Sequence, residues 1–97
     1  MKHAIEYQID KLMNGHLRSG SKKARKEEVS KVKRFCKWVV ITNPGVQKFE
    51  NIGRKHVHLF YKNLSDSGRS PTTIYKYTLA IEKIWFASGK SGAPPKF

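Results

Sequence analysis

Hydrophobic positions recur along this chain with the period of an α-helix, in separate segments divided by turn residues. The sharpest segment begins at Ser70. Its hydroxyl suits an N-cap, accepting from a backbone amide two or three residues on, and Pro71 suits the first helical position, where no amide proton is needed. Ile74, Tyr77, Thr78, Ile81, Ile84 and Trp85 then fall on one face, which predicts a core-facing helix running to about Ala87. Thr72, Lys76, Leu79 and Lys83 fall on the opposite side, a stripe that is polar except for Leu79. The start of such a helix offers free amides and partial positive charge, a combination that binds phosphate. An ordinary solvated face has the same pattern.

Three further helices are predicted upstream. From Lys22 to about Ile41, Val29, Val32, Cys36, Val39 and Val40 lie within one arc with Phe35 at its margin, and Asn43-Pro44-Gly45 closes the segment. Trp38 to Thr42 is β-rich in residue type but continues this helical period. Beside the apolar arc Lys23, Lys26, Ser30, Lys33, Arg34 and Lys37 form a stripe at spacings of three and four, while Glu27 and Glu28 project elsewhere. Like charges at that spacing repel by a few tenths of a kcal/mol per pair, so segregating them suggests a use. From His3 to Leu17, Ile5, Ile9, Leu12 and His16 share one face with Met13 at its edge, and Gly15 with Ser19-Gly20-Ser21 forms a joint. This first helix either folds back onto its own domain or packs on a neighbouring molecule. Between Gly53 and Leu64, Val57, Phe60, Tyr61 and Leu64 share a face, with Asn51 as the expected cap and Ser65-Asp66-Ser67-Gly68 as the stop. The fold class is therefore all-α, a small bundle of four helices. Residues 1–21 read as an N-terminal helix and flexible joint, 22–88 as the helical core, and 89–97, with Gly89, Ser91, Gly92, Pro94 and Pro95, as a linker.

Charge changes the picture more than length does. A chain of 97 residues makes one modest core, but its formal charge of +13 points to an anionic partner, nucleic acid ahead of a membrane surface. No apolar run is long enough to span a bilayer and the first residues lack the apolar core of a signal peptide, so a cytoplasmic setting is expected. The single cysteine, Cys36, lies on the apolar side of its helix and is expected to be reduced and buried.

Catalytic chemistry finds no foothold. His56 and His58, two apart, point about 200° from one another on a helix and cannot share a metal. Phosphate-binding loops, nucleotide-binding glycine patterns, a nucleophile elbow and spaced carboxylate pairs are all missing. Tyr61 and Tyr77 read as core members. No cofactor, metal or catalytic residue is expected.

The order of elements then resembles a known family. A basic helix ending in Phe35-Cys36-Lys37-Trp38 is followed by the short helix His56 to Leu64, then by Ser70-Pro71-Thr72-Thr73-Ile74 opening a helix with Ala80-Ile81 and Ile84-Trp85-Phe86, then by Gly89 and a proline. Over roughly Lys22 to Pro95 this resembles the SAM-like, N-terminal core-binding domain of phage-type integrases, the tyrosine recombinases. The resemblance implies one half of a clamp around DNA, with the second and fourth helices crossing near the major groove. It implies DNA contacts from Lys22, Lys23, Arg25, Lys26 and Lys33 on the second helix and from Arg69, Ser70, Thr72, Thr73 and Lys76 at the fourth. Of these, Lys23, Lys26, Lys33, Thr72 and Lys76 follow from the helical wheel alone. The family's catalytic arginines, histidine, lysine and nucleophilic tyrosine belong to a separate C-terminal domain, and nothing here matches them. The implied role is to bind double-stranded DNA beside a crossover site, to position a catalytic domain of the same bacterial or phage-encoded parent chain, and to meet other recombinase protomers, without cutting DNA itself.

Two other classes stay open. One is a helix-turn-helix regulator, although the connection from Asn63 to Thr73 reads as long for that motif. The other is a basic helical protein-interaction module whose charge maintains solubility. RNA is a weaker fit, with no aromatic cluster set out for stacking.

Overall fold

Ser70 caps its helix as its position predicts: Oγ accepts the Thr73 amide at 3.2 Å, and Pro71 occupies the first turn. A computed structural model describes residues 4–13, 22–46 and 48–96, without the side chains of residues 4 and 22–25. Its helices are α1 (Ala4–Met13), α2 (Lys22–Thr42), α3 (Arg54–Asp66) and α4 (Pro71–Ala87), with a 3-10 turn at Phe49–Asn51 before α3. The architecture is an all-α bundle of four helices, and no strand occurs among the described residues. The predicted Gly15 and 19–21 joint, and His16, lie outside the described residues.

All of the predicted core face of α4 is buried, and Ala80 joins it. The buried Thr78 hydroxyl donates to the Ile74 carbonyl at 3.2 Å, which removes the cost of placing it there. On α2 the arc is centred differently from the expectation. Phe35, predicted at the margin, is fully buried, whereas Val40 is only half-buried. The reason is aromatic packing. Phe60 of α3 meets Phe35 at 5.0 Å, Trp38 at 5.5 Å and Tyr77 of α4 at 5.3 Å between ring centroids, and this cluster pulls the Phe35 side of α2 inward.

α1 folds back onto its own chain. Ile5, Ile9 and Met13 are fully buried in the core shared with α2, α3 and α4, so Met13 takes the central place expected of Leu12. Gln8 fixes the turn beneath it: its Oε1 accepts the Phe49 amide at 2.7 Å and its Nε2 donates to Glu50 Oε1 at 2.8 Å. That turn buries Phe49 and Ile52, so Asn51 lies inside it and does not cap α3. Gly53 is the cap residue, its amide donating to His56 Nδ1 at 2.9 Å. α3 ends at Asp66, within the predicted stop, and Gly68, with a φ of 81°, lets the Arg69 amide turn back to the Leu64 carbonyl at 3.1 Å. Only residues 67–70 connect α3 to α4, a shorter link than the sequence suggests.

The segment after α4 lies along α3. Arg54 donates to the Ala93 and Ser91 carbonyls at 3.2 and 3.3 Å, and the Tyr61 hydroxyl donates to the Pro95 carbonyl at 3.2 Å. Lys90 stands 5.0 Å from the Trp85 ring centroid and 5.4 Å from that of Phe49, and burial lowers its pKa.

Cys36 is buried as predicted, and desolvation pushes its thiol up to about 12. A thiol with a raised native pKa leaves stability intact below the ordinary value of 9.0 and erodes it as pH climbs from there towards 12. Iodoacetamide at pH 8 is expected to leave the native protein unlabelled and to alkylate it fully in denaturant; labelling tracked by mass spectrometry checks this.

Candidate nucleic-acid interface

The core of α2 centres on Val32, Phe35, Cys36 and Val39, so the opposite side of that helix must face outward. Lys26, Ser30, Arg34 and Lys37 follow one another along it at spacings of three and four, all exposed. Half-buried Lys33 and Lys31 flank this row on its two shoulders.

Each shoulder meets a different helix. On one, α1 runs antiparallel to α2, and Asp10 pairs with Lys33 Nζ at 2.8 Å while Glu6 pairs with Lys37 Nζ at 3.5 Å. A shallow hollow of about 490 Å³ opens there, lined by Glu6, Lys26, Val29, Ser30, Lys33, Arg34 and Lys37. On the other shoulder α4 runs antiparallel to α2. Glu28 takes Lys83 Nζ at 2.6 Å, Lys31 Nζ stands 5.8 Å from the Tyr77 ring, and Arg34 Nη1 makes a long 3.5 Å hydrogen bond to Tyr77 Oη. That bond raises the Arg34 pKa further, and the guanidinium stays charged at any working pH.

The sequence-predicted contact residues fall into these two groups. Lys26 and Lys33 lie on the α1 shoulder. Lys76 lies on the α4 shoulder in a small hollow with Glu27, Glu28, Lys31 and Leu79. Ser70, Thr72 and Thr73 stand at the start of α4, where the Ser70 hydroxyl also donates to Thr73 Oγ1 at 3.0 Å, so the cap uses part of their bonding capacity. Arg69 is exposed in the turn before them. The side chains of Lys22, Lys23 and Arg25 lie outside the described residues. No hydrogen bond or ion pair among the described residues joins Lys26 or Lys33 to Ser70, Thr72 or Thr73. The α2 and α4 surfaces meet instead through Glu28, Lys31 and Arg34.

Lys31 escaped the sequence reading, and Arg34 was read only as a member of the stripe. Lys31 was marked by one signal: a helix with a basic residue on each border of its apolar arc, here Lys31 and Lys33, presents those borders to different neighbours. Among the described residues Lys26 and Lys76 have no carboxylate partner, and Lys31 and Arg34 each meet Tyr77. Among the described residues no group of three His, Cys, Asp or Glu side chains is placed to hold a metal ion, and no helix is long and apolar enough to cross a membrane.

The geometry is that of a basic band. In comparisons with known proteins the chain matches no family model, no curated protein and no solved structure. Whatever the band does must therefore be argued from its own residues. At 1.5 Å of helix rise per residue, the row from Lys26 through Ser30 and Arg34 to Lys37 covers about 16 Å, comparable to several phosphate spacings along one DNA strand. Tyr75 and Phe86 are also exposed on α4.

Proposed function

We propose that this chain is a duplex-DNA-binding domain that grips the phosphate backbone through the outward side of α2 and the adjoining flank of α4. The reading agrees with the resemblance to the core-binding domain of phage-type integrases, and it includes that family's division of labour: this unit holds DNA and a separate catalytic domain of the parent chain cuts and rejoins it. One observation carries it. Lys26, Lys31, Arg34 and Lys76 stand on the adjoining surfaces of α2 and α4 with no carboxylate ion pair of their own among the described residues, in a chain whose net charge is +13.

Phosphate contacts release counterions, so affinity must fall steeply with salt. Four contacts give a log–log slope of about −3.6, and recruiting Lys33 and Lys37 as well takes it to about −5.4. Titrating a labelled mixed-sequence duplex between about 50 and 200 mM salt is expected to return a slope within that interval. A duplex that fails to bind at the lowest salt overturns the proposal in favour of an interaction module whose charge serves solubility.

A second reading gains from the short link between α3 and α4. Residues 67–70 suit the turn of a helix-turn-helix, with α4 as the recognition helix and Arg69, Ser70, Thr72, Thr73 and Lys76 at its leading end. The two readings separate on α2. Reversing Lys26 and Arg34 destroys binding in the first and spares it in the second.

A further inference from the structure

α1 is anchored by the burial of Ile5, Ile9 and Met13 and by Gln8 on the Phe49–Asn51 turn, with Glu6 buried beside them and Asp10 half-buried. Glu6 and Asp10, one turn apart, pair with Lys37 and Lys33 of the neighbouring helix, and Glu6, Lys33 and Lys37 line the hollow where the basic side chains are densest. The Lys37 side chain remains 57% exposed in its pair, so an incoming anion has access to it. Ser30, Lys26 and Arg34 complete the rim of the same hollow, which supplies a hydroxyl and two further cations around one opening.

We infer that the hollow between α1 and α2 is a seat for a backbone phosphate and that Glu6 and Asp10 are built-in competitors for it, holding Lys37 and Lys33 in the phosphate's absence. The inference rests on the duplex-binding reading and adds to it a residue-level control of affinity. A phosphate entering the hollow takes Lys33 and Lys37 in exchange for two carboxylates, so these two contacts return only part of what free lysines would give. α1 thereby limits how tightly the band holds DNA, which suits a domain that has to let go of its site. The competitors are fixed by the fold. Their strength is set by the charge on two side chains, and the helix does not have to detach.

The test uses the full chain with Glu6→Gln and Asp10→Asn together, changes that keep shape and remove charge. Against the same mixed-sequence duplex, affinity at about 0.1 M salt is expected to rise about tenfold and the salt slope to steepen by as much as about 1.8, because two lysines are freed for phosphate. The control is Asp66→Asn with Glu82→Gln, which removes the same two charges away from the hollow. Equal gains in the two double variants, or no gain in the first, overturn the inference and leave duplex binding standing. Failure of the unmodified chain to bind at low salt overturns the underlying reading, and the inference with it. A thermal melt by circular dichroism accompanies each variant. If Glu6→Gln with Asp10→Asn melts early, Asp10→Asn alone, at a half-buried surface position, is measured instead, and a gain of slope below that of Asp66→Asn overturns the inference equally.

Discussion

Reversing Lys26, Arg34 and Lys76 to glutamate together is expected to abolish duplex binding and leave the helical circular dichroism spectrum unchanged. All three are exposed and none is ion-paired among the described residues, so the fold loses only the long bond from Arg34 to Tyr77. On the DNA side the loss is large. Each phosphate contact removed lowers log affinity at 0.1 M salt by about 0.9, so three losses cost nearly three decades before any repulsion from the new carboxylates is counted. The positions are chosen to cover the α1 shoulder, the centre and the α4 shoulder of the band. Reversing them singly then maps it: comparable losses at Lys26 and Lys76 mean one duplex lies across both, while loss at Lys76 alone assigns binding to α4. Electrophoretic mobility shift or fluorescence anisotropy reads either result. Undiminished binding by the triple variant removes α2 and α4 as the DNA surface.

Phe60→Ala carries the largest expected cost in stability. Phe60 is nearly fully buried and meets Phe35, Trp38 and Tyr77, so it ties α3 to both helices of the band. Truncating a buried phenylalanine to alanine costs about 3–5 kcal/mol, against about 5–15 kcal/mol for the whole stability of a small domain. At about 4–8 °C per kcal/mol for a chain of this size, the melting temperature is expected to fall by about 12 °C at least. A thermal melt followed by circular dichroism measures it. A fall of only a few degrees means that the aromatic cluster is dispensable and that the aliphatic side chains of α4 hold α2 unaided.

Much of the fold was legible because helical period and end signals agreed. Ser70 with Pro71 marked one start, and the spacing of Ile74, Tyr77, Ile81 and Trp85 marked the buried side of the same helix. What stayed hidden were partners set by packing between helices. Phe35 looked marginal on α2 because nothing local announces that Phe60 will meet it from α3. Gly53 displaced Asn51 as the cap because burial of Phe49 and Ile52 drew the preceding turn inward, a tertiary cause. The candidate surface followed the same rule. The lysine row on α2 could be read from spacing, but α1 covers one of its borders and α4 the other, and that division requires the bundle. Glu6 and Asp10 were visible only as acids in a basic chain until α1 was seen lying beside Lys37 and Lys33.

The pairings across the α2 and α4 seam join positions 43 and 55 apart in the chain. Chain order therefore separates the two halves of the band in time. α2 is synthesised whole, with its lysines and its apolar arc, well before Tyr77 and Lys76 exist to stand beside it, and such distant partners find one another late in folding. A fragment ending before Pro71 keeps Lys26, Lys31 and Arg34 of the band and lacks the scaffold that shapes it, so polyanion binding by that fragment would report charge alone.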